Sequence, residues 1–152
     1  MRIEDAIKQS KPFKTSREKV MINLIYTSNH IKSGLADYFK PYGITTKQYN
    51  VLRILKGAGK PVSTSYIKER LIDKMSDASR IVDRLYQKKW IDKMTCSSDR
   101  RLVDVTINDS GNELLTQVSK NIAKLDAMTQ TLTDEEAELL SSLLDKLRRS
   151  KN

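Results

Sequence analysis

A change of period near residue 90 limits what this chain can fold into more than any other feature of its sequence. Before it, Ala78, Ile81, Val82 and Leu85 recur at helical spacing, with Ser76, Arg80, Asp83 and Gln87 on the opposite stripe. The spacing predicts a helix capped by Ser76 and running to about Lys88, one face packed and the other free. After it, Val103, Val105 and Ile107 alternate with Asp104 and Thr106 as strand residues do. Ile91 to Met94 can supply the partner strand, and the polar stretch Thr95 to Arg101 between them reads as a hairpin loop with a basic tip.

The rest of the chain is helical in pattern. Ser16 to Phe39 carries Val20, Leu24, Ile31, Leu35 and Phe39 near helical spacing, and Pro41 to Gly43 stops it. Thr45 or Thr46 can cap a second helix with apolar positions Tyr49, Val51, Leu52, Ile54 and Leu55, ended by Gly57-Ala58-Gly59. Pro61-Val62 is a short extended piece. Ser63, Thr64 or Ser65 can cap a third helix through Ile72, with Ile67 and Leu71 inward. Beyond the hairpin, Asn108 caps another long helix bearing Leu114, Leu115, Val118, Ile122 and Leu125. Thr133 to Glu136 then forms a capping box for a C-terminal helix with Arg148 and Arg149 in its last turn. The class expected is mainly α with a small β-hairpin, an α+β fold: residues 45–107 form one lobe, and 1–40 and 109–152 supply long flanking helices within a single domain.

Charge narrows the partner. The first 107 residues hold 22 Lys/Arg against 11 Asp/Glu, a net +11, while the last 45 hold 6 against 8, a net −2. A basic body attracts polyanions, although part of such charge always serves solubility. One cysteine, Cys96, allows no internal disulfide, and with His30 alone beside it there is no Cys/His zinc set and no recognisable catalytic constellation. No enzyme and no cofactor are expected. The acidic, leader-free N-terminus and the lack of a long apolar run predict a cytoplasmic chain that does not enter a membrane.

Two short helices, a tight connection, an amphipathic helix and a basic-tipped hairpin make a winged helix-turn-helix, in which a helix fits the major groove and the hairpin reaches the neighbouring minor groove. From Arg80 to Gly111 the sequence RIVDRLYQKKWIDKMTCSSDRRLVDVTINDSG resembles the MarR family of bacterial regulators, the Asp99-Arg100-Arg101 triplet most specifically, and the likeness covers nearly the whole chain. It implies terminal helices intertwined into a homodimer, a pseudo-palindromic double-stranded DNA operator, and a small aromatic or lipophilic effector. Two positions depart from the family pattern. Lys89 stands where glycine is usual, which predicts a left-handed lysine at a cost of about 1 kcal/mol or a different turn. Ile107-Asn108 replaces a Leu-Thr pair, and asparagine caps equally well.

Candidate DNA contacts are Ser76, Ser79, Arg80 and Arg84 on the reading helix and Arg100 and Arg101 on the loop. Arg80 can reach guanine edges or phosphate, or pair with Asp83 instead. Ser76 can donate to DNA or serve only as a cap. Asp77 and Asp83, repelled by phosphate, suit the orienting of arginines. The resemblance implies minor-groove or phosphate contact by at least one of Arg100 and Arg101, with Asp99 bracing the loop by pairing with either, Arg101 slightly favoured. Lys68, Arg70, Lys88 and Lys93 are generic phosphate candidates. Trp90 is expected to plug the core beneath the hairpin, His30 to be a packing or surface residue, and Cys96 an ordinary loop residue rather than a redox switch.

Overall fold

The computed structural model describes residues 1–95 and 103–149, so Cys96, Asp99, Arg100 and Arg101 lie outside the described residues. A short helix α1 (Ile3–Ala6), which the sequence pattern does not signal, precedes the long α2 (Ser16–Phe39), capped by Thr15. A 3-10 turn, Lys40–Tyr42, with Pro41 in it closes α2. Helix α3 (Thr46–Ala58) opens on a capping box between Thr45 and Gln48 and stops at Gly59, whose φ of 63° suits glycine. Strand β1 (Val62–Ser63) leads into α4 (Thr64–Arg70), capped by Ser63, and then α5 (Ala78–Gln87). Strands β2 (Ile91–Thr95) and β3 (Val103–Ile107) follow, then α6 (Asp109–Ser119), α7 (Ala123–Asp126) and α8 (Asp134–Arg148).

β2 and β3 pair antiparallel, with Ile91 opposite Ile107 and Thr95 opposite Val103. β1 adds to the free edge of β3, Val62 opposite Val105, which makes a three-stranded sheet of order β1-β3-β2. The sequence reads Pro61-Val62 only as extended, because a two-residue strand has no alternation to reveal its partner. Leu52, Leu55, Ile67, Leu85, Ile91 and Val105 are the centre of the core and shed almost all their accessible surface. Each of the four apolar residues predicted for the face of α5, Ala78, Ile81, Val82 and Leu85, is buried.

Three boundaries differ from expectation. Helix α4 ends at Arg70, so Leu71 is buried but Ile72 stands 84 % exposed in the following turn. The cap of α5 is Asp77, whose carboxylate accepts from the Arg80 amide at 3.1 Å; Ser76 is buried one residue earlier. The helix opened by Asn108 is interrupted after Ser119. Around the break, Asn121, Ile122 and Lys124 donate to carbonyls three residues back, the tighter 3-10 winding. Side-chain bonds at the break, two of them from distant residues, account for it: the Tyr38 hydroxyl donates to the Val118 carbonyl at 2.6 Å, Ser119 Oγ donates to the Leu115 carbonyl, and Asn121 Nδ2 donates to the Tyr42 hydroxyl. Side chains that claim helix carbonyls bend and loosen the regular ladder.

The end of α5 answers the question of Lys89. Its φ is 58°, and the Trp90 amide donates to the Leu85 carbonyl while the Lys89 amide donates to that of Tyr86, the two bonds of a Schellman cap. Half-buried Trp90 packs on the core just beyond, as expected. Because lysine has a Cβ that crowds in this conformation, Lys89→Gly is expected to stabilise the fold by about 1 kcal/mol, read as a raised denaturant midpoint at unchanged slope. A lowered midpoint would mean that the lysine side chain supplies more than its strain costs.

Candidate nucleic-acid interface

With its apolar stripe packed on α4 and α3, α5 presents Ser79, Arg80, Asp83, Arg84 and Gln87 to solvent. Arg80 lies near the middle of that face. Among the described residues no ion pair involves the Arg80 or Arg84 side chain. The alternative role for Arg80, a pair with Asp83, is not the one formed: Asp83 pairs with Lys93 of β2. Lys93 Nζ lies over the Tyr86 ring, 5.2 Å from its centroid, and the side chain is three-quarters covered; a chain already held this way loses less freedom on pairing than Arg80 would. The pair neutralises the one carboxylate in the middle of the reading face and ties that helix to the hairpin.

Ser76 is the reading-helix candidate that the structure removes from the surface. It is 7 % exposed, and its hydroxyl donates to Asp73 Oδ2 at 2.9 Å, so it faces the turn and not the free face of α5. Of the generic phosphate candidates, Lys68 is exposed without a described partner. Arg70 stacks on Tyr66 at 3.4 Å and donates to its carbonyl, Lys88 donates to the Gly43 carbonyl and lies over Trp90, and Lys93 holds Asp83. His30 is an exposed residue of α2.

Sequence reasoning missed the anchor of the turn between α4 and α5. Asp73 accepts from Ser76 Oγ, from the Met75 amide at 3.1 Å and from Lys47 Nζ at 2.8 Å. Lys47 above all, then Ser76 and the Met75 amide, lower its carboxyl to about 2, so it stays ionised. The available signal was an aspartate three residues before a serine, the spacing of a local side-chain turn. Among the described residues there is no cluster of three His, Cys, Asp or Glu that could hold a metal, and no helix long and apolar enough to cross a membrane.

Helix-turn-helix α4–α5 with the β2–β3 hairpin beside it defines a winged helix-turn-helix protein. A sequence profile of the MarR family matches residues 44–103. The Multiple antibiotic resistance protein MarR of Salmonella typhimurium is 30 % identical over 127 residues, which cover 82 % of this chain and 88 % of that one. The chain belongs to the MarR family. The HTH-type transcriptional regulator PecS of Dickeya dadantii is 26 % identical over 122 residues, covering 78 % and 74 % of the two chains. Among solved structures, a mutant MarR from E. coli complexed with operator DNA superposes with a TM-score of 0.73 at 25 % identity, over 83 % of this chain and 91 % of that one. The organohalide-sensing regulator RdhR in its 2,4-dichlorophenol-bound form has the same fold, with a TM-score of 0.80 at 19 % identity over 92 % and 86 %.

Proposed function

We propose that this chain is a cytoplasmic, non-enzymatic transcription regulator that reads double-stranded DNA as a homodimer on a pseudo-palindromic operator, with a small aromatic or lipophilic effector controlling release. The observation that carries the reading is the division of α5: four apolar residues spent on the core, and an exposed row of Ser79, Arg80, Arg84 and Gln87 beside a hairpin. The E. coli MarR complex with operator DNA supports it, and the dichlorophenol bound to RdhR suggests the effector class. Residues 45–107 are the reading lobe in this proposal, and 1–40 and 109–152 the dimerisation arms. Exposed apolar residues on both arms support that division: Val20 at 51 %, Met21 at 56 %, Ile25 at 55 %, Leu139 at 60 % and Leu147 at 61 %. Leu35, one of the apolar residues spaced along α2, instead packs on the core.

The two basic elements have different tasks. Arg80 on the reading helix faces base edges that differ for every pair, so Arg80→Ala should weaken binding by about 1 to 3 kcal/mol and relax sequence preference. Arg100 and Arg101 on the hairpin loop meet the minor groove or phosphate, where the pattern is degenerate. Their replacement by alanine should weaken binding to many sequences and flatten the salt dependence by about one unit per contact. If Asp99 braces the loop, Asp99→Ala weakens binding although it removes a charge that phosphate repels. Titrating one selected operator duplex at two salt concentrations against the four variants tests all of this. Unchanged affinity in both loop-arginine variants would overturn the role given to the hairpin, and salt-independent indifference of the parent to any DNA would favour a protein-interaction module.

A further inference from the structure

The turn between α4 and α5 holds an oddity that the reading face does not use. Met75 is 94 % exposed, two residues before the cap of the reading helix. It is also among the best-anchored residues of the lobe. Its own amide donates to Asp73 Oδ1, the next amide donates to the Asp73 carbonyl at 3.1 Å, and Ser76 behind it is buried with its hydroxyl on the same aspartate. Lys47 of α3 fixes Asp73 from the other side, and the Ile72 amide donates to Asn50 Oδ1 at 3.1 Å, so two points of α3 grip the turn. A single exposed apolar side chain is ordinary on a protein surface; what sets Met75 apart is a backbone clamped at a fixed place just ahead of the reading helix.

What covers it follows from where it sits. In helix-turn-helix docking it is the N-terminal end of the second helix that approaches the base edges. Met75 precedes Ser79 and Arg80 on that end, with exposed Lys74 beside it in the turn and Lys47 of α3 paired to Asp73. The one apolar feature of the major-groove floor is the C5-methyl group of thymine. We propose that Met75 is a specificity-determining residue that covers a thymine methyl at one position of each half-site, with Asp73 a positioning residue that aims it. The unbranched, polarisable thioether suits contact with a small apolar knob. This rests on the regulator reading given above.

The test uses the full chain and a pool of random DNA duplexes. The parent protein is first made to select its preferred duplex, and each thymine pair in that duplex is then replaced in turn by deoxyuridine, which removes only the methyl. At one position per half-site the parent should lose about fourfold in affinity, the size expected for uncovering one methyl group. Met75→Ala should show no loss at that position, Met75→Leu should keep it, and Asp73→Ala should reduce it while Asp73→Asn, which can still accept from the Met75 amide, restores part of it. Ile72→Ala should leave the penalty intact. A penalty that survives in Met75→Ala at every position, or that disappears equally in Ile72→Ala, overturns the assignment although the protein still selects DNA. Failure to enrich any duplex overturns the regulator reading itself, and the two failures are therefore distinct.

Discussion

Ending the chain at Thr133, which removes α8, is expected to turn a homodimer into monomers and to lower affinity for a two-half-site duplex by about 10²- to 10⁴-fold, since linked half-sites give avidity that single lobes lack. The lobe itself should survive. No residue of α8 is buried, and the described core runs from Tyr38 to Val118 without it. What α8 offers lies outward: Leu139, Leu140, Leu143 and Leu147 are each about half exposed or more. Covering such a leucine is worth about 1 kcal/mol, so four on each of two copies contribute about 8 kcal/mol. Association costs about 4 to 15 kcal/mol, so the contribution of α8 is of the size that decides whether two copies stay together. Sedimentation gives the oligomeric state, far-UV circular dichroism and cooperative melting give the state of the lobe, and a duplex titration gives affinity. A truncated chain that remains a tight dimer would move the interface to α1 and α2 alone.

Most of the lobe was legible in the sequence because its elements bury one face each. The stripe Ala78-Ile81-Val82-Leu85 and the alternation Val103-Val105-Ile107 state both the element and its inward side, and Thr45, Asn108 and Thr133 mark helix starts through side-chain chemistry confined to four residues. What was illegible depended on residues far apart in the chain. The break after Ser119 is set by Tyr38 and Tyr42, about 80 positions upstream, and β1 is a strand only because β3 lies beside it. Ser76 and Asp77 are adjacent and equally good caps, so only the pull of Asp73 and Lys47 decides between them. In the candidate site, charge type and helix face were readable for Ser79, Arg80 and Arg84. The partner of Asp83 was not, because strand register brings Lys93 to it. Nor does an isolated methionine in a turn announce that its backbone is clamped.

Replacing Gly111 by alanine is expected to destabilise the protein by about 3 kcal/mol, although the same change within a helix usually stabilises by about 1 kcal/mol. Gly111 lies buried in the first turn of α6, and a Cβ built there would meet the Trp90 carbonyl oxygen at 2.2 Å and Ile107 Cγ1 at 2.8 Å. The first of these atoms is backbone and has little room to yield. Trp90 is fixed by the hydrogen bond its amide donates to the Leu85 carbonyl and by the register that sets Ile91 opposite Ile107; Asn108 Nδ2 donates to the Lys89 carbonyl; and the Gly111 amide itself donates to Asn108 Oδ1. Relief therefore means prising the start of α6 from the base of the hairpin, which gives up the Asn108 cap or distorts the turn that Lys89 already strains. At about 2 to 4 °C per kcal/mol for a chain of this size, the melting temperature should fall by about 10 °C. Gly57 supplies the opposite sign, since it is helical in α3 and a Cβ there meets nothing within 4 Å. Gly57→Ala should raise the melting temperature by a few degrees through helix propensity alone. Measured side by side, a Gly111→Ala protein that melts with or above its parent would show that α6 can slide away from the hairpin without loss, and the join between lobe and arm would then be loose rather than fixed.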